Sequence, residues 1–239
     1  MRVLAVSHQD DAGPGVFAEA IESGGAELEV WDRPRVEAPP GDLDEYDAVI
    51  VLGGAMNVDE ADEHPWIDDE LVMLRGLLER RTPLLGVCLG SQLLATAAGG
   101  RAERAAEPEI GWFGVEVTKA GAADPLLGPL APGFTALQWH SYRCVLPPEA
   151  VELAVSPVCS QAFRAGRCAW GIQFHAETSR ADAEHWVRDY ESDPDAVRIG
   201  IDPEALLGET RARIDRWNAL GRELCDRFLV EAERVSRNR

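Results

Sequence analysis

Short apolar runs alternate with longer stretches of helical spacing through the first part of the chain. Residues 3–6 form an all-apolar run that predicts a short buried strand. A polar loop from His8 to Gly15 follows, then an amphipathic helix through Ile21 that stops at Gly24-Gly25. A second strand is expected at 28–31, and a Pro-rich connection leads to the continuous apolar strand 48–52, which ends at Gly53-Gly54. Strands apolar on both faces belong inside a parallel sheet. Residues 66–80 carry helical spacing with Ile67, Leu71, Leu74 and Leu78 on one face, and a strand resumes at 83–87. This alternation predicts an α/β fold with a doubly wound, mainly parallel sheet flanked by helices.

From Gly111 the texture changes. Strand-like runs at 115–117, 134–137, 151–155 and 170–174, punctuated by Pro and Gly, predict a small antiparallel part with hairpins. From Asp202 the tail has an N-cap, Pro203 in the first turn, and Leu207, Ile214, Trp217, Leu224 and Phe228 at helical spacing. It reads as a long helix or helix pair docked on the main domain, with homodimerisation or partner binding as the alternative. The expected division is a main domain at 1–190 and a C-terminal helical extension at 191–239. No repeat or low-complexity tract interrupts this order.

Composition sharpens the picture in three ways. At 239 residues, with 46% apolar and 27% charged residues, the chain has material for one self-sufficient core. Forty-two acidic against 23 basic residues leave a net charge of −19, which repels nucleic-acid phosphates and anionic membrane surfaces. Five cysteines, an odd number without CxxC or Cys/His spacing, suggest neither a disulfide framework nor zinc. Cys159 and Cys168 flank a short segment and could pair, but free buried thiols in a reducing compartment are the simpler reading. No apolar run approaches the roughly 20 residues a bilayer needs, so a soluble, cytoplasmic protein is expected.

The chemistry concentrates at two places. In Gly86-Val87-Cys88-Leu89-Gly90 an apolar strand enters a G-x-C-x-G turn, with a helix following at once, the pattern of a nucleophile elbow with cysteine in the serine position. The turn strains the backbone, and side chains in place of the flanking glycines would collide with crossing elements. A helix N-terminus favours negative charge on the sulfur, and the Leu89 amide can donate to a tetrahedral oxyanion. Downstream, Phe174-His175-Ala176-Glu177 places an imidazole and a carboxylate two residues apart as a buried strand ends. If the backbone stays extended there, both side chains point the same way. A cysteine hydrolase needs a histidine to take and return the proton, and a carboxylate to hold the ring's tautomer. Cys88, His175 and Glu177 can fill those roles.

Two further segments are less specific. Gly53-Gly54 lie at the sheet edge where open α/β sheets bind ligands, and they suit either a second oxyanion donor, a substrate clamp or a tight turn. Gln138-Trp139-His140-Ser141-Tyr142 offers donors and acceptors for an amino-acid head group. His140 ranks below His175 as a base because no carboxylate accompanies it in sequence.

Together with Gly53 through Asp59, His64-Pro65-Trp66-Ile67, Glu109-Ile110-Gly111-Trp112 and Gln161-Ala162-Phe163, these segments resemble the class I glutamine amidotransferase family over roughly residues 1 to 180. The similarity is greatest to stand-alone members that look like the amidotransferase half of GMP synthase. The resemblance implies a flavodoxin-like fold, with Cys88 as nucleophile, His175 as base and acid, and Glu177 as its orienting partner. It also implies oxyanion amides at Gly54 and Leu89, and glutamine binding by Gly53, Gln92, Ser141 and Tyr142, with no metal or cofactor. Three changes depart from the family pattern. Ala176 and Ala55 each replace a proline, and Ser141-Tyr142 replaces a Gly-Asp pair. The last change bears on substrate or acceptor preference, because that loop borders the glutamine pocket.

The expected activity is hydrolysis of glutamine through a γ-glutamyl thioester, releasing ammonia for an acceptor. The chain shows neither a Walker-type loop nor a Ser-Gly-Gly-x-Asp-Ser signature, so an ammonia-accepting synthetase partner would supply acceptor activation. The alternative enzyme reading is a γ-glutamyl peptide or amide hydrolase using the same three side chains. A non-catalytic binding domain is the reading from another class, and the complete Cys/His/Glu set argues against it.

Overall fold

The computed structural model describes residues 1–237. In chain order the elements are β1 (Arg2–Ser7), α1 (Gly15–Ser23), β2 (Glu27–Asp32), β3 (Ala48–Val51), α2 (Trp66–Glu79), β4 (Leu84–Val87) and α3 (Leu89–Ala97). Then come β5 (Arg101–Val117), β6 (Gly133–Val145), β7 (Val151–Val155), β8 (Ser160–Ala165), β9 (Ala169–Ile172), α4 (Arg180–Arg188), α5 (Pro194–Ile199) and α6 (Pro203–Ser236).

All nine strands join one sheet in the order β2-β1-β3-β4-β9-β8-β7-β5-β6. The first five in that order run parallel, and the pairings from β9 onward are antiparallel. The apolar strands behave as their composition requires. Val3 and Ala5 of β1 pack on one face with α1 and α6, while Leu4 and Val6 pack on the other with α2 and α3. The doubly wound α/β expectation therefore holds. The antiparallel portion is as extensive as the parallel one, because β5 starts at Arg101 and pairs with β6 along most of its length. In α2 the buried stripe runs Ile67, Glu70, Leu71, Leu74 and Leu77, with Leu78 only partly covered, and a carboxylate interrupts the apolar face.

The tail is one unbroken helix rather than a pair. Trp217 of α6 packs against Phe134, Phe174 and Trp112, and Ile214, Leu224, Phe228 and Ala232 are fully buried in the same core as α1 and the sheet. All five cysteines are free and buried. Among the described residues no helix is long and apolar enough to cross a membrane.

Candidate active site

Cys88 follows β4 and caps α3 with φ 51° and ψ −110°, a conformation unfavourable for any residue but glycine. The neighbouring glycines show why the turn can exist. A β-carbon at Gly86 would sit 2.4 Å from the Gly90 carbonyl oxygen, and one at Gly90 would sit 2.0 Å from that of Val51. The strained turn brings the sulfur to the wall of a cavity at the carboxyl edge of the parallel strands, although Cys88 keeps only 5% of its surface accessible.

His175 stands beside that cysteine, near enough for their charges to interact, while the thiol itself lies 3.8 Å from the Trp139 carbonyl. His175 Nδ1 donates to Glu177 Oε1 at 2.8 Å, and all three side chains are buried. Burial pulls the His175 pKa down, but the charges of Glu177 and Cys88 and the hydrogen bond to Glu177 outweigh it, so the imidazole titrates well above its ordinary range. An imidazole held this way keeps one nitrogen for the sulfur and commits the other to the carboxylate.

The sequence pattern predicts that the extended backbone of the last strand reaches Phe174 and carries His175 and Glu177. The strand ends at Ile172, and residues 173–178 leave the sheet in bends. The two side chains still meet because other elements hold this segment. Trp217 Nε1 donates to the His175 carbonyl at 2.8 Å, Asn218 Nδ2 to the Thr178 carbonyl at 2.7 Å, and the His175 amide to the Leu137 carbonyl at 3.0 Å. Helix α6 also passes so close that a β-carbon at Gly221 would lie 2.0 Å from the Ala176 carbonyl oxygen.

The cavity encloses about 460 Å³ and is lined by Cys88, His175, Gly54, Leu89, Gln92, Ser141 and Tyr142, which brings most of the sequence-read candidates together. Gly53 does not line it. A β-carbon there would touch the rings and stems of His175 and Cys88 from behind, at 3.1 and 3.6 Å. Gln92 Nε2 reaches the Tyr142 carbonyl and Gln173 Oε1, at 3.4 and 3.3 Å. Tyr142 Oη donates to Asp59 at 3.1 Å, and Ser141 hydrogen-bonds Asp195. Among the described residues the amides of Gly54 and Leu89 have no acceptor within the protein.

Apart from Trp139, which belongs to the polar and aromatic cluster read from the sequence, the far wall of the cavity is not disclosed there: Trp186, Asp189, Asp193 and Asp195 build it with Arg104 from across the hairpin. Arg104 bonds both oxygens of Asp195, at 2.7 and 2.6 Å, and Trp139 Nε1 donates to Asp193 at 2.9 Å. The Asp-Pro start of α5 is the one local signal for this wall, and nothing in it marks proximity to Cys88.

His140 ranks low on the sequence for want of a carboxylate nearby, and here the structure supplies one from another strand. Glu109 Oε2 of β5 lies 3.2 Å from His140 Nε2, off the line of a good hydrogen bond, while Nδ1 donates to the Tyr142 carbonyl. Glu109, His140 and Cys159 present metal-ligating atoms within 4.8 Å of one another. The Glu109 carboxylate is already engaged by Gln161 Nε2 at 2.7 Å and Ser156 Oγ at 3.0 Å, and burial pushes the Cys159 thiol far up, so the cluster is closed by its own hydrogen bonds.

Comparison with known proteins shows relatives across most of the chain. The chain shares 31% identity over 182 residues, 74% of its own length and 76% of the other's, with the glutamine amidotransferase-like protein YfeJ of Salmonella typhimurium. It is 32% identical over 147 residues to a glutamine-hydrolysing GMP synthase subunit of Halobacterium salinarum, covering 60% of this chain and 73% of that one. A γ-glutamyl-L-1-hydroxyisopropylamide hydrolase of a Pseudomonas species is 31% identical over 206 residues, covering 82% and 68%. In three dimensions a glutamine amidotransferase from Thermotoga maritima superposes with a TM-score of 0.86 at 29% identity, covering 95% of this chain and 97% of that one. Residues 16–189 match the model of the glutamine amidotransferase class-I family, and the chain belongs to that family.

Proposed function

We propose that the protein hydrolyses the side-chain amide of glutamine through a thioester on Cys88. The observation that carries this reading is the strained Cys88 facing an imidazole whose other nitrogen is bound by Glu177 at 2.8 Å. Cys88 Sγ attacks the amide carbon as the thiolate, its proton already held by His175 beside it. The carbonyl electrons move onto oxygen, and the resulting oxyanion accepts hydrogen bonds from the amides of Gly54 and Leu89. As the oxyanion collapses, His175 returns the proton to the departing nitrogen, and ammonia leaves. A water molecule, deprotonated by the same imidazole, then attacks the thioester and releases glutamate. Gln92, Ser141 and Tyr142 hold the amino-acid end of the substrate. In this reading the ammonia serves an acceptor on a synthetase partner, a division of labour supported by the similarity to the GMP synthase subunit of Halobacterium salinarum.

A second reading keeps the thioester and changes the leaving group. The cavity continues past Cys88 to the wall formed by Trp186, Asp189, Asp193 and Asp195, leaving room for a larger amine, and one similar protein is named for hydrolysing such an amide. Intact-mass measurement after incubation with glutamine, γ-glutamyl peptides and γ-glutamyl amines tests both. A γ-glutamyl adduct that disappears in Cys88→Ala supports the thioester, and the amide that is turned over with the highest kcat/KM identifies the leaving group. No adduct and no turnover with any of them rejects the proposal.

A further inference from the structure

Directly behind the Gly53-Gly54 turn lies a second histidine and carboxylate pair that the hydrolytic scheme leaves unused. His8 follows β1 and Glu70 lies on the buried face of α2, and both side chains are fully buried. His8 Nδ1 is 3.1 Å from the Gly53 carbonyl oxygen, and Nε2 is 3.1 and 3.2 Å from the two Glu70 oxygens. A carbonyl and a carboxylate can only accept, so both ring nitrogens carry protons and the ring is an imidazolium. Trp66 stacks on it with centroids 5.0 Å apart and planes 15° from parallel, a favourable seat for a buried cation.

The Gly53 carbonyl and the Gly54 amide belong to one planar trans peptide, so they point in opposite directions. Drawing the carbonyl onto His8 turns the Gly54 N–H the opposite way, and Gly54 itself lines the cavity that Cys88 and His175 border. The next amide, that of Ala55, is taken up by Gln9 Oε1 at 2.6 Å, whereas the Gly54 donor has no acceptor within the protein. A glycine pair gives a peptide little resistance to flipping, so its orientation has to come from such a contact.

We propose that the His8 and Glu70 pair is a latch that fixes the Gly53-Gly54 peptide with its N–H facing Cys88, making His8 a positioning residue for the oxyanion hole. This rests on the thioester reading, in which Gly54 is an oxyanion donor. The positive ring also polarises the peptide, strengthening the N–H as a donor at the moment charge develops on the substrate oxygen.

The experiment compares His8→Leu, His8→Asn and Glu70→Gln with the wild-type chain on whichever γ-glutamyl amide it hydrolyses. His8→Leu is expected to lower kcat about 100-fold, the size of effect seen when an oxyanion donor is lost. KM should stay within about three-fold, as for an interaction made only in the transition state. His8→Asn, whose side-chain N–H lies where Nδ1 does, should recover about ten-fold of that loss. Alkylation of Cys88 by iodoacetamide, which displaces iodide and forms no oxyanion, should proceed at the wild-type rate in all three. If His8→Leu fails to fold, Glu70→Gln carries the test, with kcat down about ten-fold and alkylation unchanged. Unaltered kcat in the folded variants, or alkylation falling in parallel with kcat, overturns the latch. A wild-type chain that hydrolyses its substrate and is inactivated by Cys88→Ala, with His8 variants at full rate, sinks the latch and leaves the thioester standing. A wild-type chain without amidase activity sinks both.

Discussion

At residue scale, the site depends on backbone positions where one extra carbon is not tolerated. Gly90 touches the Val51 carbonyl so closely that Gly90→Ala must push β3 and α3 apart. We expect a loss of about 3 kcal/mol or more in chemical denaturation, at the upper end for overpacking. An alanine variant within about 0.5 kcal/mol of wild type would show that the elbow has slack. The buried histidines set a pH dependence. Burial lowers the His8 pKa, but the Glu70 charge and hydrogen bond and the carbonyls of Gly53 and Leu52 raise it further, so the net shift is upward from 6.5. His175 is shifted the same way. A raised folded-state pKa means that the stabilisation is complete below 6.5 and is lost as pH climbs through the folded value. Urea midpoints measured from about pH 6 to about pH 9 should therefore fall in the wild type and fall less steeply in Glu70→Gln. Equal slopes would mean that His8 does not carry its proton in the folded state.

At the scale of elements, α6 bears on the chemistry without touching the cavity. Its Trp217 and Asn218 donate to the carbonyls of His175 and Thr178, which accept from no strand amide. Trp217→Phe keeps most of the packing and leaves the buried His175 carbonyl without its donor, so about 1–3 kcal/mol should be lost. Because the same bond holds the base in place, kcat should fall as well, and a stability loss with kcat untouched would confine α6 to a scaffold role. The expectation for this helix comes from its apolar spacing, which a single amphipathic helix satisfies as well as a pair. The opposite holds for β5. Its first half, with Arg101, Glu103, Arg104, Glu107 and Pro108, carries no apolar run that marks a strand and becomes one because β6 pairs with it and a register shift between Arg104 and Glu109 absorbs the proline.

At the scale of the whole molecule, the helical extension and the α/β core share one apolar interior. Ile214, Leu224 and Phe228 of α6 are completely buried beside Val3, Ala5 and Trp170 of the sheet. We infer that residues 1–190 alone do not form an independent domain. Removing residues 202–239 should give a chain that binds a hydrophobic dye and loses cooperative unfolding, whereas a sharp transition in the truncated chain would restore the two-part division.

The strand-helix alternation, the cysteine elbow and the His-x-Glu segment were determined by the sequence itself, because each is a local pattern whose physical meaning holds within a few residues. Apolar runs and the glycines of the elbow are legible over a single turn or strand, whereas the meeting of His175 with Glu177 also needs α6 to hold a segment that has left the sheet. What the tertiary structure alone decided was long-range pairing between polar groups. His8 with Glu70, His140 with Glu109, and Arg104 with Asp195 join residues 62, 31 and 91 positions apart. A side chain whose charge is balanced by a distant strand or helix carries no mark of that partner in its own neighbourhood. Burial creates the need for such a partner, and only the folded chain brings the two into contact.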